Sequence, residues 1–328
     1  MTIKEHITEL LEECNELSVK EIVSKTNASK QMVHLALLKL IDENSVQKLG
    51  RTPKTTYRLI EQQQDRPFLT IPVLNDKQNQ FLEEQCVVVS HAGKLLRGIE
   101  ALTYFCQENE LPFERTYVEL NSNFYALEKY YDKKGKINAI EKLLNTTAYE
   151  KIWPDNLFYF GFDTLKPLGR TPLSTLLHYA KQGQSTFLMN IIIEEVKERI
   201  QQFVKDQKTD AVAFVPPSIG RETQFMKFLK NNLNLPLPHI DIKKINGLIP
   251  LPQNSIQRME DKIRNADNTY VVSETRHFKH VIIIDDLVDS GATLNQIAGK
   301  IKLKGIAAEV TGLALVGSLE GFDVAINL

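Results

Sequence analysis

The sequence predicts an α/β protein. Its C-terminal half, residues 156–328, folds around a parallel sheet, behind a small three-helix-and-hairpin unit and a mostly helical connector. Three observations predict this. Val281-Ile282-Ile283-Ile284 is an apolar, β-branched run of the kind buried in parallel sheets. It runs straight into Asp285-Asp286-Leu287-Val288-Asp289-Ser290-Gly291-Ala292-Thr293-Leu294, carboxylates and small residues that turn a strand into a helix. From residue 156 onward, strand-like runs alternate with helical patterns, the order that builds parallel sheets. Residues 1–60 show three helical spacings and then a basic hairpin.

Composition sets the outer limits. The 328 residues carry 40 Lys and Arg against 41 Asp and Glu, so no global basic excess advertises nucleic acid, and any such surface must be local. Cys14, Cys86 and Cys106 are far apart and fit neither zinc nor disulfide spacing, which predicts reduced, packed thiols in a cytoplasmic protein. The N-terminus is charged too early for a signal peptide, and no apolar run approaches a membrane span.

Within residues 1–60, Ile3, Ile7, Leu10 and Leu11 have helical spacing. Ser18-Val19-Lys20-Glu21 has the form of a capping box and opens a helix through Ile22 and Val23. After the turn Asn27-Ala28-Ser29, Ser29 caps a third helix with Val33, Leu37, Leu38, Leu40 and Ile41 on its buried side. Val46–Leu49, a turn over Gly50–Lys54 and Thr55–Leu59 read as a hairpin. The first helix is acidic (Glu5, Glu9, Glu12, Glu13, Glu16), whereas Ser29 to Arg58 holds six bases against Asp42 and Glu43. This unit resembles a winged helix-turn-helix domain. The resemblance implies that the third helix enters a DNA major groove with Ser29, Lys30, Gln31 and His34 reading bases, while Lys48, Arg51, Lys54 and Arg58 contact phosphates. Winged helices also serve as protein-docking modules, so a partner protein is the alternative.

Residues 61–75 read as a linker, with Pro67 and Pro72 in a polar run. Residues 76–155 contain no motif. Lys94–Phe105 reads as an amphipathic helix, and Ile137, Ile140, Leu143, Leu144, Ile152 and Trp153 as another; Val87–Val89 reads as a short strand. A helical connector or dimerisation unit is expected there. Tyr130-Tyr131 and Phe158-Tyr159-Phe160 read as core.

In the C-terminal half, Leu173 to Ile200 is helical with a break near Gly183. Ala211–Val215 is a strand ended by Pro216-Pro217-Ser218-Ile219-Gly220-Arg221, and a helix follows through Phe225, Phe228 and Leu229. His239–Ile242 and Tyr270–Val272 are extended, Glu309–Val316 is a further strand, and Asp323–Ile326 is the last.

The chemistry lies after the apolar strand. Gly291 lets the backbone curl, and successive N–H groups in such a curl bind an anion with the positive end of the next helix. Ser290 and Thr293 add hydroxyls. The loop has no Walker-type Lys and is not G-x-G-x-x-G, so it reads as a monophosphate cradle. Asp285 and Asp286 stand one sugar length away and suit the vicinal hydroxyls of a ribose.

Every position from Ile282 to Thr293 fits the fingerprint of the type I phosphoribosyltransferases, which this stretch resembles. Residues 156–328 are similar in particular to the ComF-like (competence-protein) branch. Leu176–Gly183 stands where that branch has a helix with a Lys-aromatic pair, with His178 in place of the Lys. Phe214–Ser218 looks like its Val-Pro-x-Pro strand end; Pro252-Gln253, Lys262, Asn265 and Tyr270 look like its Gln…Arg-x-x-Asn…Phe segment, with Lys for Arg. Its Arg-Gly-Phe-Asn segment is poorly matched by Arg221–Phe225, a departure that bears on turnover more than on binding.

The resemblance implies a type I phosphoribosyltransferase fold that binds phosphoribosyl pyrophosphate (PRPP). In the reaction it implies, a nitrogen acceptor displaces pyrophosphate from C1 through an oxocarbenium-like state. Asp289, Ser290, Gly291, Ala292 and Thr293 would bind the 5-phosphate. Asp285 and Asp286 would hold the ribose and stabilise developing positive charge. Pro217, Ser218, Arg221 and Lys262, with Arg264 as a further candidate, would take the pyrophosphate with Mg²⁺, which is held by substrate oxygens rather than directly by protein. The acceptor is not legible. Two other functions share these features. One is a PRPP-sensing, DNA-binding transcription regulator, since the purine repressors of Gram-positive bacteria have this domain order. The other is a nucleotide-targeting effector of a retron-like defence system. A homo-oligomer or a partner protein is compatible with all three.

Overall fold

The computed structural model describes residues 2–43, 45–51, 54–59, 72–217, 219–245 and 256–322. Contacts divide the chain into two compact units, Met1–Phe68 and Leu69–Leu328. Among the described residues, no helix is long and apolar enough to cross a membrane.

In the first unit, Thr2 and Glu5 form a capping box that opens α1 (Ile3–Cys14). After the short β1 (Leu17–Ser18), the Ser18/Glu21 box forms and opens α2 (Val19–Thr26), which Asn27 ends in the left-handed region. Ser29 caps α3 (Lys30–Asp42) by accepting the Met32 N–H. β2 (Val46–Arg51) and β3 (Lys54–Leu59) form the hairpin, and β1 adds to the other side of β3 in an antiparallel sheet. Ile7, Leu11, Ile22, Val33, Leu37, Leu40 and Tyr57 fill the core. Leu38 was expected on the buried side of α3 but is exposed. One residue beyond Leu37 is about 100° further round a helix, which takes Leu38 off the Val33–Leu37–Leu40 face.

The second unit is built on a seven-stranded sheet. Its strands are β6 (Ile137–Asn138), β7 (Asn156–Tyr159), β8 (Ala211–Phe214), β9 (His239–Lys244), β10 (Tyr270–Ser273), β11 (Phe278–Val288) and β12 (Ala307–Gly317), in the order β10-β9-β8-β11-β12-β7-β6. The five inner strands are mutually parallel, and only the edge strands β10 and β6 run antiparallel to their neighbours. Fold class and the strands β8, β9, β11 and β12 follow the sequence reading, whereas β7, read only as core aromatics, is a further inner strand. Side chains alternate across β11: Ile282 and Ile284 join a core with α8 (Pro172–Gln182), α9 (Thr186–Asp206) and α10 (Phe225–Asn232), whereas Val281 and Ile283 join one with α12 (Ala292–Leu303) and α11 (Met259–Thr269). That two-sided burial is why the strand reads as an unbroken apolar run.

The segment 76–155 shares the second core, through Leu82 of α4 (Asp76–Gln85), Leu102 of α5 (Gly98–Glu108), Leu120 of α6 (Phe113–Glu128) and Leu143 of α7 (Ile140–Leu144). It is part of the sheet's compact unit rather than a body between two others. The helix expected over Lys94–Phe105 starts only at Gly98, because Leu95–Arg97 form β5, paired with β4 (Val87–Val89), and Gly98 turns the chain at φ +63°. The helix expected to run from Ile137 to Trp153 is one turn long. Ile137 lies in β6, and Trp153 packs against Gly299 of α12. Its backbone N–H donates to Asn295 Oδ1 at 2.8 Å, and Asn295 donates back to the Lys151 carbonyl at 3.0 Å. Tyr159 and Phe160 are core, as read. All three cysteines are free, and burial pushes the Cys86 and Cys106 thiols up. The strand expected at Asp323–Ile326 and most of the expected linker lie outside the described residues.

Candidate functional site

β11 ends at Val288, and Gly291 swings the chain into α12 at φ +86°. A Cβ there would stand 2.4 Å from Leu143 Cδ2, so glycine is required by conformation and by space. The loop is held from behind by residues that no local motif marks. Tyr149 Oη donates to the Ser290 carbonyl at 3.0 Å and Ser318 Oγ to the Asp289 carbonyl at 3.1 Å. The Lys142 ammonium, only 3 % exposed, donates to Ser318 Oγ and, at 3.0 Å, to the Glu320 carbonyl. Burial lowers the Lys142 pKa, opposed by the charges of Glu320 and Asp289. The Ser290 hydroxyl accepts the Ala292 N–H at 3.4 Å, which tightens the curl.

This loop forms one wall of a cavity of about 640 Å³, a size ordinary for a small-molecule site. Asp285, Asp286, Asp289, Ser290, Gly291, Ala292 and Thr293 all line it, together with Pro217 and Arg221. The structure therefore brings together nine of the residues singled out from sequence. Ser218 lies outside the described residues. Lys262 is placed differently from the expectation. It pairs with Asp289 Oδ2 at 2.7 Å, on the loop after β11, and among the described residues it is not in the cavity wall. Arg264 faces Asp261 of its own helix at 4.0 Å.

Arg221 is positioned by the α8–α9 junction. Its Nη2 donates to Gln182 Oε1 at 3.2 Å, the Thr223 N–H to Gln184 Oε1 at 2.8 Å, and Gln224 Nε2 to the Arg221 carbonyl at 3.0 Å. Arg221 Nη1 is buried with no partner among the described residues.

The acidic pair is asymmetric. Asp286 carries the ammonium of Lys181, at 2.9 Å from Oδ1 and 2.7 Å from Oδ2. Asp285 is buried and accepts the Asp286 N–H at 2.8 Å. Burial, then the neighbouring Asp286 charge, pushes its pKa well up, with Lys181 pulling the other way. Along α8, His178 and Lys181 both line the cavity, and burial with the nearby Arg170 and Lys181 charges lowers the His178 pKa. Asp163 also lines the cavity, with its pKa raised by burial.

These carboxylates do not suit a resident divalent ion. Mg²⁺ seeks charged oxygens. Both Asp286 oxygens are on Lys181, Asp289 is on Lys262, and Asp285 holds its proton beyond the usual carboxylate range.

In the N-terminal unit, Ser29, Lys30, Gln31 and His34 are exposed at the start of α3, as are Lys48 and Arg58 on the hairpin. The Ser29 hydroxyl is engaged as the helix cap at 3.3 Å. The side chains of Arg51 and Lys54 lie outside the described residues. Interleaved with these polar residues are Met32, Leu35 and Leu38, each more than half exposed, an apolar stripe the sequence reading did not place on that face.

No protein-family model matches the chain, and no curated protein does. Among solved structures it is similar to a purine phosphoribosyltransferase from Pyrococcus horikoshii, at 18% identity and a TM-score of 0.23, over 38% of this chain and 72% of that one. It is also similar to a hypoxanthine phosphoribosyltransferase from Staphylococcus aureus, at 15% identity and a TM-score of 0.24, over 38% of this chain and 62% of that one.

Proposed function

We propose that the second unit binds PRPP and transfers its phosphoribosyl group to a nitrogen acceptor, and that the first unit is a winged helix that docks on nucleic acid. The observation that carries the first part is the gathering of a phosphate-sized loop, an acidic pair and an under-satisfied arginine around one cavity at the carboxyl end of β11. The first-turn N–H groups of α12 and the Gly291 curl would receive the 5-phosphate. Asp286 would accept from a ribose hydroxyl, and Asp285 would exchange a proton-sharing hydrogen bond with the other. As the C1–O bond breaks and the acceptor nitrogen bonds to C1, Arg221 faces the charge that collects on the departing pyrophosphate.

The test is titration calorimetry of PRPP into wild type and D285N/D286N, with pyrophosphate release assayed on the same samples. Binding and release that both fail in the double variant support transfer. Absence of binding to folded wild type overturns the reading.

A second reading, a PRPP sensor without turnover, is favoured by one observation. With Asp286 on Lys181 and Asp285 holding its proton, little negative charge remains to steady a cationic ribose. Binding without release in the same experiment selects it. Nucleic-acid binding rests on the exposed Lys30 at the start of α3 and the exposed Lys48 and Arg58 on the hairpin.

A further inference from the structure

We infer that Lys181 is the resident counter-cation of this cleft: it takes the charge-neutralising place of a divalent metal, so that a phosphorylated ribose binds here without one. The inference rests on the reading that the cleft receives such a sugar. Its own ground is the contact between Lys181 and Asp286 and the manner in which the fold delivers it.

Lys181 lies in the last turn of α8, next to Ala180 and one turn after Leu177, both buried in the core that also holds Ile282 and Ile284 of β11. The helix is fixed at its other end by Thr171, which accepts the Ser174 N–H and donates to the Phe162 carbonyl at 2.6 Å. The ammonium is therefore brought to the acidic pair by a helix packed directly beneath it. It reaches both Asp286 oxygens within hydrogen-bonding distance, at 2.9 and 2.7 Å. A lysine ammonium has three donors; one is engaged in the hydrogen bond to Asp286 Oδ1, with Oδ2 at ion-pair distance, which leaves donor capacity for a ligand oxygen.

The charges around the cavity fit this role. The wall holds the carboxyl groups of Asp163, Asp285, Asp286 and Asp289 and the cations Arg170, Lys181 and Arg221, and Lys262 stands on Asp289 from outside the wall. Four carboxyl groups, of which Asp285 keeps its proton to higher pH than an ordinary carboxylate, thus face four cations before any ligand arrives. An acidic pair without such a partner would repel an incoming phosphate, and a soluble divalent ion would have to neutralise it. Here the chain supplies the cation, and it fills the Asp286 edge where an ion would otherwise sit.

The probe is ribose 5-phosphate, which has the phosphate and ribose hydroxyls but no pyrophosphate to bring a metal with it. Its affinity for the full chain is measured by calorimetry in EDTA and in Mg²⁺, for wild type, K181M and K181R. Wild type should bind within about threefold equally in the two buffers. K181M should weaken by about tenfold or more in EDTA and recover most of that in Mg²⁺, because the ion replaces the lost charge. K181R, which keeps the charge, should stay metal-independent. A role confined to packing would weaken K181M equally in both buffers, and that result overturns the inference, as does a K181M that binds like wild type in EDTA. Wild-type binding that appears only with Mg²⁺ overturns it while leaving the ribose-phosphate site standing. Absence of binding in both buffers, by protein with an intact circular dichroism spectrum, removes the site and the inference together.

Discussion

Gly291 and the acidic pair show how much chemistry rests on single side chains. G291A must adopt φ +86° and also place a methyl carbon 2.4 Å from Leu143 Cδ2. Left-handed strain of about 1–3 kcal/mol, added to the clash, should distort the loop and weaken ribose 5-phosphate binding by about tenfold or more. L143A introduced alongside relieves the clash and leaves the strain, so calorimetry on the double variant should show partial recovery.

Asp285 has a pH signature. In the unfolded chain it ionises in the ordinary carboxylate range; in the folded protein burial and Asp286 hold the proton to higher pH. Its favourable contribution is therefore full at acid pH and is lost as pH rises through the folded value. Urea unfolding from about pH 4 to about pH 9 should show wild type losing stability relative to D285N, with the two lines diverging upward in pH. Parallel lines would contradict the assignment.

At the scale of elements, local and distant support can be separated by variant. The Ser18 cap of α2 accepts the Glu21 N–H and receives the Glu21 carboxylate on its own N–H at 2.7 Å. S18A should cost about 1 kcal/mol of helix stability, visible as lost hydrogen-exchange protection over residues 19–26 with little change in β11. On α3, polar and apolar residues share the exposed face. L35S should leave the unfolding midpoint within about 0.5 kcal/mol of wild type, since Leu35 is exposed. K30A and R58A should each weaken binding of duplex DNA nearly uniformly across sequences and lower the salt slope by about one. Unchanged DNA binding in the two charge variants, with loss of a protein partner in L35S, would instead assign the face to protein docking.

For the whole molecule, the telling feature is the single core that α4, α5, α6 and α7 share with the sheet. A fragment starting at residue 156 would lack the helices that share this core and, through α7, pack on β7, exposing Leu157 and Tyr159. It should bind the dye ANS and lose its near-ultraviolet circular dichroism, whereas residues 69–328 should retain both native signatures. A well-packed 156–328 fragment would mean that the helices are an appendage.

The sequence by itself determined what is written in neighbouring positions. The unbroken apolar run of β11 marks a strand buried on both faces, and the acidic pair and small-residue turn are contiguous, so the strand–turn–helix junction was legible without a fold. Ser18 and Glu21 lie three apart and make their own helix start. Leu38 and the stretches Lys94–Phe105 and Ile137–Trp153 misled, because apolar spacing marks a face only approximately and says nothing of where a paired strand, β5 before Gly98 or β6 at Ile137, takes the residues instead. Only the tertiary structure decided who stands behind and opposite the site. Lys181 and Asp286 are 105 residues apart, Tyr149 and Ser290 are 141, and Lys142 and Ser318 are 176. Those meetings follow from strand order and from which helix covers which face of β11. Burial of whole surfaces sets both, and no local propensity encodes either.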